Sequence, residues 1–373
     1  MSLTVKHCVV GKEGYTMLNY FPGYISSLMS GHLDAKKMMR LGAVSAFSGL
    51  SNEMIYVPPS STPTNFTPPV VVFFGGDVQD YPENMLAHRD HEHYVEWSLT
   101  STAELLATKF TEHHVFVVKP NRMERKTFSC FDNFVTSNSV GAPSHDPGIE
   151  AINHLSSLIS EGLRTARAKL LAVDSESPTH CLDVETDVSF VTNSLPQSCP
   201  VSKEPPEVQQ CTNEEDSTSS QHDSNNHRRD DFDVKYDDVT IIGFSKGCVV
   251  LNQLITEFHT VTTVDKLKEH AQYAFLSKVH NMYWLDGGHA GGSNTWITSP
   301  FILKSLAALT HINIHIHVTP YQVRDDQRPW IRRECKAFND ILKRAGAKVS
   351  YALHFEDEPA SLVSHFRVLN EFS

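Results

Sequence analysis

The chain has 373 residues, 40% hydrophobic and 20% charged, with 32 Lys and Arg against 44 Asp and Glu and a formal net charge of −12. That composition supplies a sizeable apolar core, while the acidic balance argues against nucleic-acid binding, which needs a basic face to meet phosphates. No apolar run approaches the roughly 18–20 residues that span a bilayer, so no transmembrane segment is expected.

Residues 1–50 carry no clear period. Their opening, Met1 to Val10, lacks the features of a secretory signal, and Arg40 is the first arginine, so no Arg-rich mitochondrial leader is visible and targeting is not legible from these residues. Residues 70–74, Val-Val-Val-Phe-Phe between Pro68-Pro69 and Gly75-Gly76, read as a fully buried strand. Leu99, Ala103, Leu106 and Phe110 recur at helical spacing over 98–110, and 114–119 reads as a second strand closed by Pro120. Ile152, Leu155, Ile159, Leu163 and Ala166 give 148–173 one apolar side, as a helix requires. A helix there, running into the segment that follows, is placed to act as a lid over an acyl pocket.

That following segment, 174–236, differs from the rest in texture and charge. Asp174 to Asp238 hold 16 acids and four bases, which accounts for the entire net charge. Thr212 to Arg229 contain no aliphatic residue and no Phe, Tyr or Trp. Such a stretch buries too little apolar area to offset the entropy of ordering it, and an acidic disordered insertion is predicted. Beyond it the periods return: strands at 239–243, 281–285, 312–318 and 348–355, and helices at 248–258, 300–309, 330–344 and 361–372. Alternation of this kind predicts an α/β fold, a mostly parallel sheet with helices on both faces, built from 51–173 and 237–373.

The seven cysteines are odd in number and form no C-x-x-C pair, which suits a reducing compartment and neither a disulfide framework nor a zinc site. His88, His91 and His93 diverge around a helix and read as a chance cluster, so no metal or cofactor is expected. His315 and His317 share one strand face, where packing is the default reading.

The sharpest local signal is Gly243-Phe244-Ser245-Lys246-Gly247, a G-x-S-x-G run between a strand and a helix. In a nucleophile elbow the serine occupies a strained turn whose neighbours two residues away must lack a Cβ. The competing reading is a plain tight turn whose serine caps the helix. A serine nucleophile needs an imidazole base and an acid to orient it, in the chain order Ser, acid, His. His365, near the start of the last helix, is chosen as base over His354, which alternates inside the final strand. Asp325 is preferred as the acid because it follows the penultimate strand and precedes a helix; Asp286 is the alternative, with a turn residue in Asp286-Gly287-Gly288 as its competing reading. Backbone amides of Lys246 and of Gly76 or Asp77 are the expected oxyanion donors.

Five runs carry a resemblance: Phe74–Gln79, Phe128–Phe134, Ile242–Gln253, Met282–His289 and Val318–Asp325, with His365–Val368 at the end. Together they resemble an animal family named after an open reading frame on chromosome 2 and described as mitochondrial. The resemblance covers the chain from about Pro69 onward, the insertion excepted. It implies an α/β-hydrolase-like fold and a role in mitochondrial respiration and energy metabolism, and it sets Ser245, Asp325 and His365 where a triad belongs. Two functions follow as expectations. One is a serine hydrolase taking an acyl-type small-molecule substrate; the other is a non-catalytic hydrolase-fold protein that binds a protein partner in energy metabolism.

Overall fold

The computed structural model describes residues 38–60, 67–175, 235–265 and 270–373. Eight strands make one sheet: β1 (Met39–Ser45), β2 (Ser51–Val57), β3 (Val70–Phe74), β4 (His114–Val118), β5 (Val239–Phe244), β6 (Val279–Leu285), β7 (Asn313–Val318) and β8 (Lys348–Leu353). They lie in the order β1-β2-β4-β3-β5-β6-β7-β8. β2 is antiparallel to both neighbours, and every other adjacent pair is parallel. This is an α/β-hydrolase-like sheet. Its first strand comes from within the segment 1–50 that shows no period.

Alternation along each strand sorts the helices onto two faces. Val70, Val72 and Phe74 of β3 join one core with α2 (Glu150–Ser175), α3 (Cys248–Thr263), α4 (Pro300–Ala308) and α5 (Pro329–Arg344). Val71 and Phe73 face a second core with α1 (Leu99–Lys109) and α6 (Leu362–Glu371). In α5, Ile331, Cys335, Phe338 and Leu342 are buried at helical spacing, so one stripe of that helix suffices to dock it. Helix α2 is part of this packing rather than a lid. Ile152, Leu155 and Ile159 are fully buried in the first core, and Gly162 sits so close to Phe116 that an added Cβ would come within 2.9 Å of its ring.

Residues 176–234, where the acidic insertion is expected, lie outside the described residues. Tyr236, at the expected end of that insertion, is buried in the first core with the Lys278 ammonium 4.5 Å over its ring.

After β3 the chain crosses to β4 on one side, and β5 lies on the other. A crevice therefore opens beyond the carboxyl ends of β3 and β5, where ligands bind in open parallel sheets. The turn after β3 and the turn after β5 both enter it.

Candidate active site

Ser245 directly follows β5 and has φ of +51°, a left-handed conformation that costs a non-glycine residue on the order of 1 kcal/mol or more. Its surroundings explain the two flanking glycines. A Cβ at Gly247 would stand 2.0 Å from the Phe74 carbonyl oxygen, and one at Gly243 would stand 2.9 Å from the Cys248 backbone. The strand-to-helix turn is therefore wedged between β3 and α3, and α3 begins three residues after the serine with its positive end beneath it. On the other side, a Cβ at Gly76 would come within 2.7 Å of the Ser245 Cβ, so the β3 turn passes directly beside the hydroxyl-bearing residue.

β5 and β6 pair with Phe244 opposite Leu285, so the residues that follow, Ser245 and Asp286, leave neighbouring strand ends. Asp286 also has a left-handed backbone, with φ of +47°. Its carboxylate is fully buried and fully engaged. Oδ1 accepts the Thr319 N–H at 2.7 Å, and Oδ2 accepts the Thr319 hydroxyl at 2.5 Å and His365 Nδ1 at 2.7 Å. His365 lies in the first turn of α6, which Ser361 caps through a reciprocal pair of bonds with Ser364. The His365 ring rests against Phe244 at 4.7 Å and Tyr321 at 4.8 Å. With Nδ1–H donated to a carboxylate, Nε2 is left as the proton acceptor.

The structure pairs His365 with Asp286, the alternative acid, and not with Asp325. Asp325 makes no contact with His365. Its Oδ2 accepts Arg328 Nε at 2.6 Å and its Oδ1 accepts the Gln327 N–H at 2.8 Å, and the Arg328 hydrogen bond holds its carboxyl below the usual range. The reason is distance along the chain. Asp325 lies beyond the short helix Pro320–Val323, whereas Asp286 is the first residue after β6. His354, the imidazole passed over, places Nε2 2.8 Å from His317 Nδ1, and the two rings stack.

The expected oxyanion donors separate in the same way. The Gly76 N–H is already donated to Gln79 Oε1 at 2.8 Å, and Gln79 is locked in place by its own bond to the Trp97 carbonyl, so Gly76 is corrected as a donor. The neighbouring Asp77 N–H has no acceptor among the described residues. Lys246 turns its side chain inward rather than into the cleft. It is fully buried, with Nζ 2.9 Å from the Val140 carbonyl and 3.2 Å from Asp77 Oδ1, and that same oxygen accepts the Ser129 N–H at 2.8 Å. Burial pushes the Asp77 carboxyl up from its ordinary value, and Lys246 works against that rise.

Ser245 and His365 line one cleft of about 370 Å³ together with Asp77, His289, Tyr321 and Arg328. No described residue of α2 lines it. His289 is neutral by its bonding: Nδ1 accepts the Gly291 N–H at 3.0 Å and Nε2 lies 3.1 Å from the Asn294 carbonyl, and burial lowers its pKa. A separate depression of about 560 Å³ between α5 and β8 holds none of these groups. Thr319, Gln79, Tyr321 and Arg328 carry no periodic signal in the sequence, and only their place beyond strand ends points to the cleft. Among the described residues no three metal-ligating side chains gather; His88 and His91 stack at 3.7 Å. Nor is any described helix long and apolar enough to cross a membrane.

Comparison with known proteins supplies a family. The model of the C2orf69 family matches residues 40–348. Mitochondrial protein C2orf69 of Homo sapiens is 39% identical over 304 residues, covering 81% of this chain and 74% of its own length. The Danio rerio homologue of that protein is 36% identical over 302 residues, covering 81% and 72%. Among solved structures, the BES protein from Bacillus cereus is 10% identical with a TM-score of 0.40, covering 99% of this chain and 97% of that one. A thermostable esterase is 10% identical with a TM-score of 0.38, covering 89% and 60%.

Proposed function

The chain belongs to the C2orf69 family, and for it we propose a serine hydrolase of the esterase, lipase or thioesterase kind, acting through an acyl-enzyme in mitochondria. The observation that carries the chemistry is the buried Asp286–His365 bond of 2.7 Å in a cleft shared with a left-handed Ser245. The compartment rests on the printed names of the human, mouse and zebrafish relatives; the support for respiration that the resemblance implies is part of the same proposal.

In this reading Ser245 Oγ attacks the carbonyl carbon as its proton passes to His365 Nε2. Asp286 holds the ring and stabilises the imidazolium that forms. The electron pair displaced onto the carbonyl oxygen is held by the N–H groups of Asp77 and Lys246, with the α3 terminus behind them. Collapse of the tetrahedral adduct expels the alcohol or thiol, which recovers the proton from His365. Water, deprotonated by the same ring, then attacks the acyl-enzyme, and the acid leaves as Ser245 regains its proton.

The test is covalent. A fluorophosphonate probe is expected to label the wild-type protein and to leave Ser245→Ala unlabelled. Folded wild-type protein that stays unlabelled would overturn the proposal and favour the non-catalytic binding protein.

A further inference from the structure

The segment after β7 does two jobs. Thr319 clamps Asp286, and of the nine residues that follow, Tyr321, Gln322 and Arg328 line the cleft, Arg328 standing just before α5. Arg328 is held from behind. Its Nε donates to Asp325 Oδ2 at 2.6 Å, one terminal nitrogen donates to Gln322 Oε1 at 3.1 Å, and the other to the Tyr321 carbonyl at 3.4 Å. Each terminal nitrogen carries two N–H groups, so one on each is left over for the cleft that Arg328 lines with Ser245 and His365.

Two contacts fix how near this guanidinium is to the reacting atoms. The Tyr321 ring stands 5.4 Å from Arg328 Cζ and 4.8 Å from the His365 ring, so a single side chain separates them. Gln322 also reaches the turn beside the nucleophile, since a Cβ at Gly288 would collide with its amide and the Gly288 N–H donates to the Ser245 carbonyl at 3.3 Å. The charges are matched elsewhere. Asp77, the carboxylate that lines the cleft, is paired with Lys246, and Asp325 occupies only the Nε edge. A guanidinium fixed at its back with free N–H groups in front is a preorganised fork for a carboxylate or phosphate.

Resting on the hydrolase reading, we propose that Arg328 binds an anionic group carried by the ester that Ser245 cleaves, with Asp325 as the residue that positions the guanidinium. The anion has two sources, the acyl chain or the leaving group, and three esters tell them apart. 4-Nitrophenyl hexanoate is neutral, mono-4-nitrophenyl adipate carries a carboxylate on the acyl side, and 4-hexanoyloxybenzoate carries one on the leaving side. Comparing wild type with Arg328→Gln on each ester cancels the intrinsic reactivity of that ester.

The expected result is a loss in kcat/KM that is about tenfold or more greater for one anionic ester than for the neutral one, the size of one charge-assisted hydrogen bond. Arg328→Lys, which keeps the charge and loses the fork, is expected to fall between. Equal losses on all three esters, with the melting temperature lowered in step, would make Arg328 a brace for α5 and overturn the assignment. If folded wild type cleaves none of the three, the hydrolase reading fails and the anion site is judged by calorimetry with adipate and with 4-hydroxybenzoate. Binding of either that weakens in Arg328→Gln keeps the site; binding of neither ends it.

Discussion

The ammonium of Lys246 and the carboxylate of Asp77 meet at 3.2 Å beneath the cleft, and each belongs to a residue whose backbone N–H is assigned to the oxyanion. The pair therefore ties the turn after β3 to the turn after β5. Removing Asp77 strands the fully buried Lys246 ammonium, at about 3–5 kcal/mol, removing Lys246 costs less because Asp77 still lines the cleft, and replacing both with neutral groups of similar size is often close to neutral in stability. Lys246→Met and Asp77→Asn should each lower the melting temperature, and the double variant should regain most of that loss. If the pair also holds the two amides in register, the double variant stays slow in fluorophosphonate inactivation despite its recovered stability. Recovery of both together would reduce the pair to a fold element.

Replacing the two candidate acids separately tests the corrected assignment. Asp286→Asn leaves the shape intact but offers His365 a neutral partner that favours the wrong tautomer, and kcat should drop about ten-thousand-fold. Asp325→Asn touches the Arg328 clamp and the turn bond to the Gln327 N–H but not His365, so its cost should be far smaller and greater on anionic than on neutral esters. The reverse ranking would restore Asp325 as the acid.

Why the sequence favoured Asp325 is itself physical. Ser245 was legible because three constraints converge on five residues: a β-branched strand before it, a helix after it, and glycines where Phe74 and the Cys248 backbone leave no room for a Cβ. His365 was legible because a helix start beyond the last strand hangs over the sheet. The acid had no such local signature. Asp286-Gly287-Gly288 reads as a turn, and it is one; the same left-handed bend that makes the turn aims the carboxylate at Thr319 and His365. What distinguishes the two acids is register: β5 ends opposite β6, so Ser245 and Asp286 are neighbours, and strand pairing is not written in either strand alone. The loss of Gly76 as a donor is of the same kind, since Gln79 reaches it only because Trp97 holds the amide. Most strands and helices, by contrast, followed from short apolar runs and from the period of 3.6, while β1 and β2 escaped; in β1, Gly42 and a register shift between Arg40 and Gly42 break any period.

Thr319 gives the acid two of its bonds, one from the backbone and one from the hydroxyl. Thr319→Val keeps the shape and the backbone N–H but deletes the 2.5 Å hydroxyl bond to Asp286 Oδ2. A hydrogen bond to a buried charge contributes about 1.5–3 kcal/mol. Unfolding should therefore shift by about that amount, and kcat should fall by roughly tenfold as the carboxylate gains freedom to turn from His365. A variant with wild-type stability and wild-type kcat would show that the hydroxyl merely fills space.

Four histidines give the fold a predictable response to acid. Burial pushes His114, His145, His154 and His317 down to about 4, with the neighbouring His354 adding to the effect at His317. A ring whose pKa is lower in the folded than in the unfolded chain stays neutral while the unfolded ring, near its ordinary value of about 6.5, takes up a proton. Unfolding then binds protons between about pH 6.5 and 4, so stability is full above that window and falls as the pH drops through it. The melting temperature should decline continuously from pH 7 to pH 4. His154 is the cleanest probe, because it is fully buried, does not line the cleft and is bonded at Nε2 to Asn52 Oδ1 at 2.9 Å. His154→Gln keeps a donor for Asn52 and cannot titrate, so its melting temperature should fall less steeply with acid than that of the wild type. Parallel slopes for the two proteins would mean that His154 is protonated in the folded state as readily as in the unfolded one.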